Sequence, residues 1–157
     1  MQIGEEESNG FEFDLAGEIT PNWSILASYA YIDARITKTA SNSEKDFDMQ
    51  RPSTPRHSGN IWTKYIITEG LLKHLGFGAG YNFVTERYGQ VGRRANTTVY
   101  PGYGLVNAVL YYKINQIQLQ ANLNNILNKT HWVGGYDKLR SFSGAPRNVN
   151  ISISYKF

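Results

Sequence analysis

Cysteine is absent from the chain's 157 residues, which excludes disulfide staples, thiolate metal sites and cysteine nucleophiles together. Long apolar runs are missing too. None approaches the roughly 18–20 residues that a membrane-spanning helix needs, and mean hydropathy is −0.43, so a membrane, if one is involved, has to be crossed by strands. A secretory leader is not legible: Met1 is followed by Gln-Ile-Gly-Glu-Glu-Glu, acidic where a basic stretch and an apolar core belong. Charge excess is small. The net charge is +3, without the dense Lys/Arg run of a nucleic-acid patch, so nucleic acid is not an expected partner.

Catalytic signatures are equally scarce. No Ser nucleophile elbow occurs, and His57, His74 and His131 are scattered without metal-ligand spacing. Gly76-x-Gly78-x-Gly80 lacks the spacing and the Lys-Ser/Thr of a nucleotide loop. Its glycines share one parity and read as a row of small residues facing a lumen or something inside it. Glu12, Asp14 and Glu18 also share a parity; without a partner they read as solvated charges rather than as acid–base or Ca²⁺ groups. No enzyme, metal or cofactor is expected.

What is abundant is strand material. The chain has 11 Tyr, 7 Phe and 15 Gly, with Asn-rich turns and β-branched runs. The last nine residues alternate without a fault: Val149, Ile151, Ile153, Tyr155 and Phe157 against Asn150, Ser152, Ser154 and Lys156. That is an extended strand with one greasy and one wet face. Six further segments carry the same period: 8–18, 23–36, 57–67, 75–84, 103–112 and 117–124. The expected fold is all-β, an antiparallel up-and-down meander of about seven strands.

Two regularities follow. The connections alternate short and long, with polar stretches at 37–56, 85–100 and 125–146; outer-membrane barrels combine tight turns at one end with long loops at the other. The apolar parity of the marked strands holds no Asp, Glu, Lys or Arg apart from Asp33 and Arg35 at the far end of 23–36, as a lipid-facing side requires. A soluble β-sandwich or barrel would show the same alternation, its apolar face a core, so periodicity leaves both readings open. The long loops hold Tyr88, Arg93, Arg94, Tyr100, Trp132, Tyr136 and Arg140. Arginine with aromatics suits an anionic, planar or iron-chelating ligand, through charge-assisted bonds and stacking; loop solubility and lipopolysaccharide contacts are the plainer use.

Several strings resemble the C-terminal end of TonB-dependent outer-membrane receptors, ferric-siderophore receptors especially. Asn122-Leu123-Asn124-Asn125-Ile126-Leu127-Asn128-Lys129 resembles their penultimate-strand motif. Gly144-Ala145-Pro146-Arg147 is similar to the Gly-x-Pro-Arg lead into their last strand, and Tyr100-Pro101-Gly102-Tyr103 to a Pro-Gly-Tyr strand start. Gly17-Glu18-Ile19-Thr20-Pro21-Asn22-Trp23, Ser28-Tyr29-Ala30-Tyr31, Pro55-Arg56-His57 and Glu86-Arg87-Tyr88-Gly89 follow the same order. The matches span almost the whole chain.

The resemblance implies a barrel of about 22 strands in the cell outer membrane, with a signal peptide, a TonB box and an N-terminal plug that this chain lacks. Residues 1–157 are then expected to be a C-terminal portion of the barrel without the plug. An odd number of strands cannot close such a barrel, and two edges would be unpaired. The resemblance also implies capture of ferric siderophore at the extracellular side and TonB coupling through the missing plug. Outer-membrane lipid and lipopolysaccharide would surround the barrel. Val149, Ile151, Ile153, Tyr155 and Phe157 would be the signal read by the barrel-assembly machinery. The runner-up is a soluble ligand-binding β-barrel or β-sandwich, which a stable detergent-free monomer would favour.

Overall fold

The computed structural model describes residues 4–39, 49–89, 98–136 and 139–157. Those residues contain no helix. Their strands are β1 (Gly4–Thr20), β2 (Trp23–Thr39), β3 (His57–Ile66), β4 (Leu75–Val84), β5 (Arg87–Tyr88), β6 (Val99–Tyr100), β7 (Tyr103–Ile114), β8 (Ile117–Asn124), β9 (Trp132–Gly135), β10 (Ser141–Ser143) and β11 (Asn148–Tyr155). Seven form one antiparallel sheet in the order β1-β2-β3-β4-β7-β8-β11. These are the seven sequence-predicted strands, joined as a meander.

The departures lie at ends and in loops. β1 and β2 run several residues past their neighbours, because Gly4–Gly10 and Ile32–Thr39 keep pairing with each other. Two stretches read as polar loops contain short ribbons, β5–β6 and β9–β10. Strands of two to four residues carry too little period to be read. β11 ends at Tyr155, so Phe157 lies beyond the strand, although Lys156 N–H still donates to Gln116 O at 2.9 Å.

Register makes the sheet two-faced. One row runs Gly17–Ile25–Thr63–Ala79–Ala108–Leu123–Val149 across all seven strands, without a charge. The adjacent row, one residue along and on the other face, runs Glu18–Ser24–Lys64–Gly78–Val109–Asn122–Asn150. The apolar face is not packed away: Phe13, Leu15, Ile61, Leu110, Ile151 and Ile153 are exposed, and the buried hydrophobic residues are only Ala34, Ile36, Met49 and Tyr100 among the described residues. A soluble sandwich needs a second layer on that face.

The glycine row of β4 lies on the polar face but is not open. Trp62 lies over its cross-strand partner Gly80, where an added Cβ would stand 1.9 Å from the indole Cε3. Tyr111 covers its partner Gly76, with 2.1 Å from such a Cβ to Cζ, and Lys64 Nζ sits 5.3 Å from the Tyr111 ring centroid. Two rings roof what sequence reads as a bare row of small residues. On the apolar face Phe83 covers its partner Gly59 in the same way.

Gly80→Ala is expected to displace the indole and lower unfolding stability by about 1–3 kcal/mol. Gly17→Ala, whose Cβ meets nothing within 4 Å, should stay within about 0.5 kcal/mol of the parent. Urea midpoints of the two variants check the pair; equal midpoints would contradict the interlock.

Candidate functional site

The connections alternate between the two ends of the sheet. Turns at 21–22, 67–74 and 115–116 lie at one end; the described residues of the long connections, 49–56, 85–89, 98–102, 125–136 and 139–147, lie at the other. The turns follow local chemistry. Asn115 adopts a left-handed φ of 50° between β7 and β8, a conformation that asparagine tolerates. The long segments form a connected layer.

Arg87 on β5 is its hub. The side chain is buried at 3% exposure. Its Nη2 donates to the Trp132 carbonyl, and its guanidinium lies 5.3 Å from the Tyr103 ring centroid. Tyr103 meets His131 at 4.5 Å between ring centroids. Nη1 of Arg87 has no hydrogen-bond partner among the described residues. One cation thereby joins the loop after β4, the start of β7 and the loop after β8. A second tie runs from the Tyr100 hydroxyl to Ser141 Oγ at 3.0 Å. A third joins the segment before β3, where Ser53 N–H donates to Tyr88 O at 2.7 Å.

Asn125 shapes the loop after β8. It sits at φ 50° and is buried. Its amide donates to Lys129 O at 2.9 Å and Ala145 O at 3.1 Å, and its Oδ1 accepts from Lys129 N–H at 2.9 Å. Its own N–H donates to Asn107 Oδ1 at 2.9 Å, and Asn107 donates to Asn82 Oδ1 at 2.9 Å. Asn128 Oδ1 accepts from Arg147 N–H at 2.9 Å. These asparagines clasp the loop to the segment that leads into β11.

The seven loop residues expected to meet ligand fall into three groups. Trp132, Tyr136 and Arg140 are exposed on or beside the β9–β10 ribbon, with the Arg140 guanidinium 5.6 Å from the Tyr136 centroid. Tyr88 is half-buried, and Tyr100 is buried at 3% exposure, where it packs the two ribbons together. Arg93 and Arg94 lie outside the described residues. Composition missed Arg87, Tyr103, His131 and Asn125. The only signal for them is that Arg87, Tyr103 and Asn125 sit inside strings that resemble family motifs. Of the five expected assembly-signal residues, Val149, Ile151, Ile153 and Tyr155 line the exposed apolar side of β11, and Phe157 meets Tyr155 edge-on at 5.0 Å. Among the described residues no cluster of His, Asp and Glu could hold a metal ion. The exposed arginine and aromatics can stack on and pair with an anionic ligand.

The family model for the TonB dependent receptor-like β-barrel matches residues 1–126. The probable TonB-dependent siderophore receptor PiuA of Acinetobacter baumannii is 32% identical over 99% of this chain and 21% of its own length. The ferrioxamine B receptor of Salmonella typhimurium is 30% identical over 99% of this chain and 22% of its own length. The crystal structure of the siderophore receptor PiuA superposes with a TM-score of 0.80 over 98% of this chain and 22% of that one. The chain spans about one-fifth of the length of the relatives it matches.

Asn125→Ala is expected to remove the Asn125 partner of Lys129 N–H and Ala145 O and to leave Lys129 O with only His131 Nδ1, at about 1–3 kcal/mol, and to speed hydrogen exchange at the Lys129 amide. Asn125→Asp keeps one acceptor but turns a carboxylate toward two carbonyls, so it should not restore protection. Unchanged exchange in both variants would contradict the clasp.

Proposed function

The chain belongs to the TonB-dependent receptor-like β-barrel family, and we propose that it forms part of the barrel wall of an outer-membrane receptor that takes up iron–siderophore complexes. The observation that carries this reading is the charge-free row running across all seven strands on a face that leaves Phe13, Leu15, Ile61, Leu110 and Ile151 exposed. Such a face suits hydrocarbon, and the polar face with its Glu, Lys, Asn and Gln suits an aqueous lumen. Aromatics mark both ends of the apolar face. Phe11, Tyr29, Tyr31 and Phe83 lie toward the loops; Trp23, Tyr65, Phe77, Tyr112 and Tyr155 lie toward the turns. Outer-membrane barrels carry aromatic girdles at both interfaces, which supports the same orientation.

The loop layer then faces outward, where ligand arrives. Trp132, Tyr136 and Arg140 offer stacking and charge to an anionic ferric chelate, with Arg93 and Arg94 as further cations. Tyr88 and Tyr100 act behind them, as packing. Relatives named as siderophore and ferrioxamine B receptors support the substrate class. The role is transport rather than catalysis. Energy comes from TonB through a plug outside these residues, so the 157 residues alone do not transport. The barrel-assembly machinery reads the apolar side of β11, and lipopolysaccharide surrounds the loop end.

Radio-iron uptake by cells expressing the full-length receptor tests the function. Uptake of a ferric siderophore is expected with TonB and not without it; no ferric chelate raising uptake above a receptor-less strain would overturn the reading. Orientation has its own test on two adjacent residues of β8. Ala121→Arg should cost about 2–4 kcal/mol in the folded, lipid-inserted protein, whereas Gln120→Arg on the lumen face should cost less than about 1 kcal/mol. Equal costs, read from unfolding in lipid vesicles, would count against a lipid-facing side.

A further inference from the structure

The connection between β3 and β4 is the longest at the turn end. Its backbone closes on itself. Ile67 N–H donates to Leu75 O at 2.8 Å, His74 N–H to Ile67 O at 2.9 Å, Leu75 N–H to Leu72 O at 3.0 Å and Lys73 N–H to Gly70 O at 3.2 Å. Gly70 and His74 both take left-handed φ, 76° and 74°. The turn therefore has one shape. It displays Leu71 at 99% exposure and Leu72 at 56%. Solvated turns are built from Gly, Pro, Asn, Asp and Ser; two adjacent leucines at a tip call for an apolar environment.

We propose that this turn is a membrane anchor: Leu71 and Leu72 enter the headgroup–acyl boundary of the leaflet on the turn side, and Lys73 meets the phosphates. The proposal rests on the barrel-wall reading above. Two observations select lipid as the occupant. The first is continuity. Leu75, immediately after the turn, pairs with Tyr112 on the apolar face, and the exposed Ile114, Ile117 and Tyr155 continue that face at the same end. The second is charge. Lys73, next to the two leucines, is exposed, and Lys113 N–H donates to His74 O at 3.3 Å, which ties the turn to the end of β7. Leucine next to lysine is the composition of an interfacial anchor: the aliphatic chain is buried and the ammonium stays with the headgroups.

The test uses the full-length receptor, with single cysteines introduced by Leu71→Cys, Ile151→Cys or Gln120→Cys; these residues contain no native cysteine. Each is labelled with an environment-sensitive fluorophore and reconstituted in phosphatidylethanolamine/phosphatidylglycerol vesicles. Nitroxide groups are carried either near the lipid headgroup or deep in the acyl chain. The position-71 label should be quenched by shallow nitroxide more than by deep. The position-151 label should be quenched by deep nitroxide, and the position-120 label by neither. Quenching at 151 without quenching at 71 overturns the anchor and leaves the barrel wall standing. No lipid quenching at either position overturns both.

Discussion

Everything in this sheet depends on one unbroken cross-strand register. Because side chains alternate with a period of two, a slip of one residue in any strand would carry its whole polar set to the other face. Glu18, Lys64, Asn122 and Asn150 share a row only because the six strand pairings agree. Two tight connections at the turn end help to fix them. So do the rings that lie on glycines directly opposite: Trp62 on Gly80, Tyr111 on Gly76 and Phe83 on Gly59. A large ring against a missing side chain fits only in the right register, so the glycines pin the pairing as well as relieve crowding.

A sheet held this way needs little conventional core. Few hydrophobic residues are buried among the described residues, and the apolar face of the sheet stays exposed. Ordinary packing is reserved for the loop end. There Arg87, Tyr103, His131 and Tyr100 tie two ribbons together, and Asn125 fastens the loop after β8 to the start of β11. Ion pairs such as Lys38–Glu5 at 2.6 Å and Arg51–Glu6 at 3.2 Å lie on the β1–β2 extension. Their exposure makes them minor contributors to stability; the first lies within the projecting hairpin, and the second joins the segment before β3 to it.

Legibility in the sequence followed strand length. Segments such as 117–124 carry enough alternation to be placed within a residue or two. The β5–β6 and β9–β10 ribbons do not, because they are held by side chains from other loops rather than by a face of their own. The glycines of β4 were placed on the correct face, but no spacing tells that rings from β3 and β7 cover them. At the candidate site, arginine and aromatic composition picked out the exposed Trp132, Tyr136 and Arg140. The same rule picked Tyr100, which the fold buries. Nothing in composition separates an aromatic that meets ligand from one that packs loops. The asparagine string was visible as a resemblance, and its work, turning left-handed and bonding four backbone groups, became visible only in three dimensions.

In the proposed barrel wall, one side of each strand of the seven-stranded sheet meets lipid and the other meets water. Spin labels placed singly along Ile117–Asn124 of the full-length protein in lipid vesicles test it most directly. Oxygen concentrates in the bilayer and a polar nickel complex stays in water. Positions 117, 119, 121 and 123 should relax with oxygen and positions 118, 120, 122 and 124 with nickel, a strict alternation along one strand. Nickel access at all eight positions would contradict it.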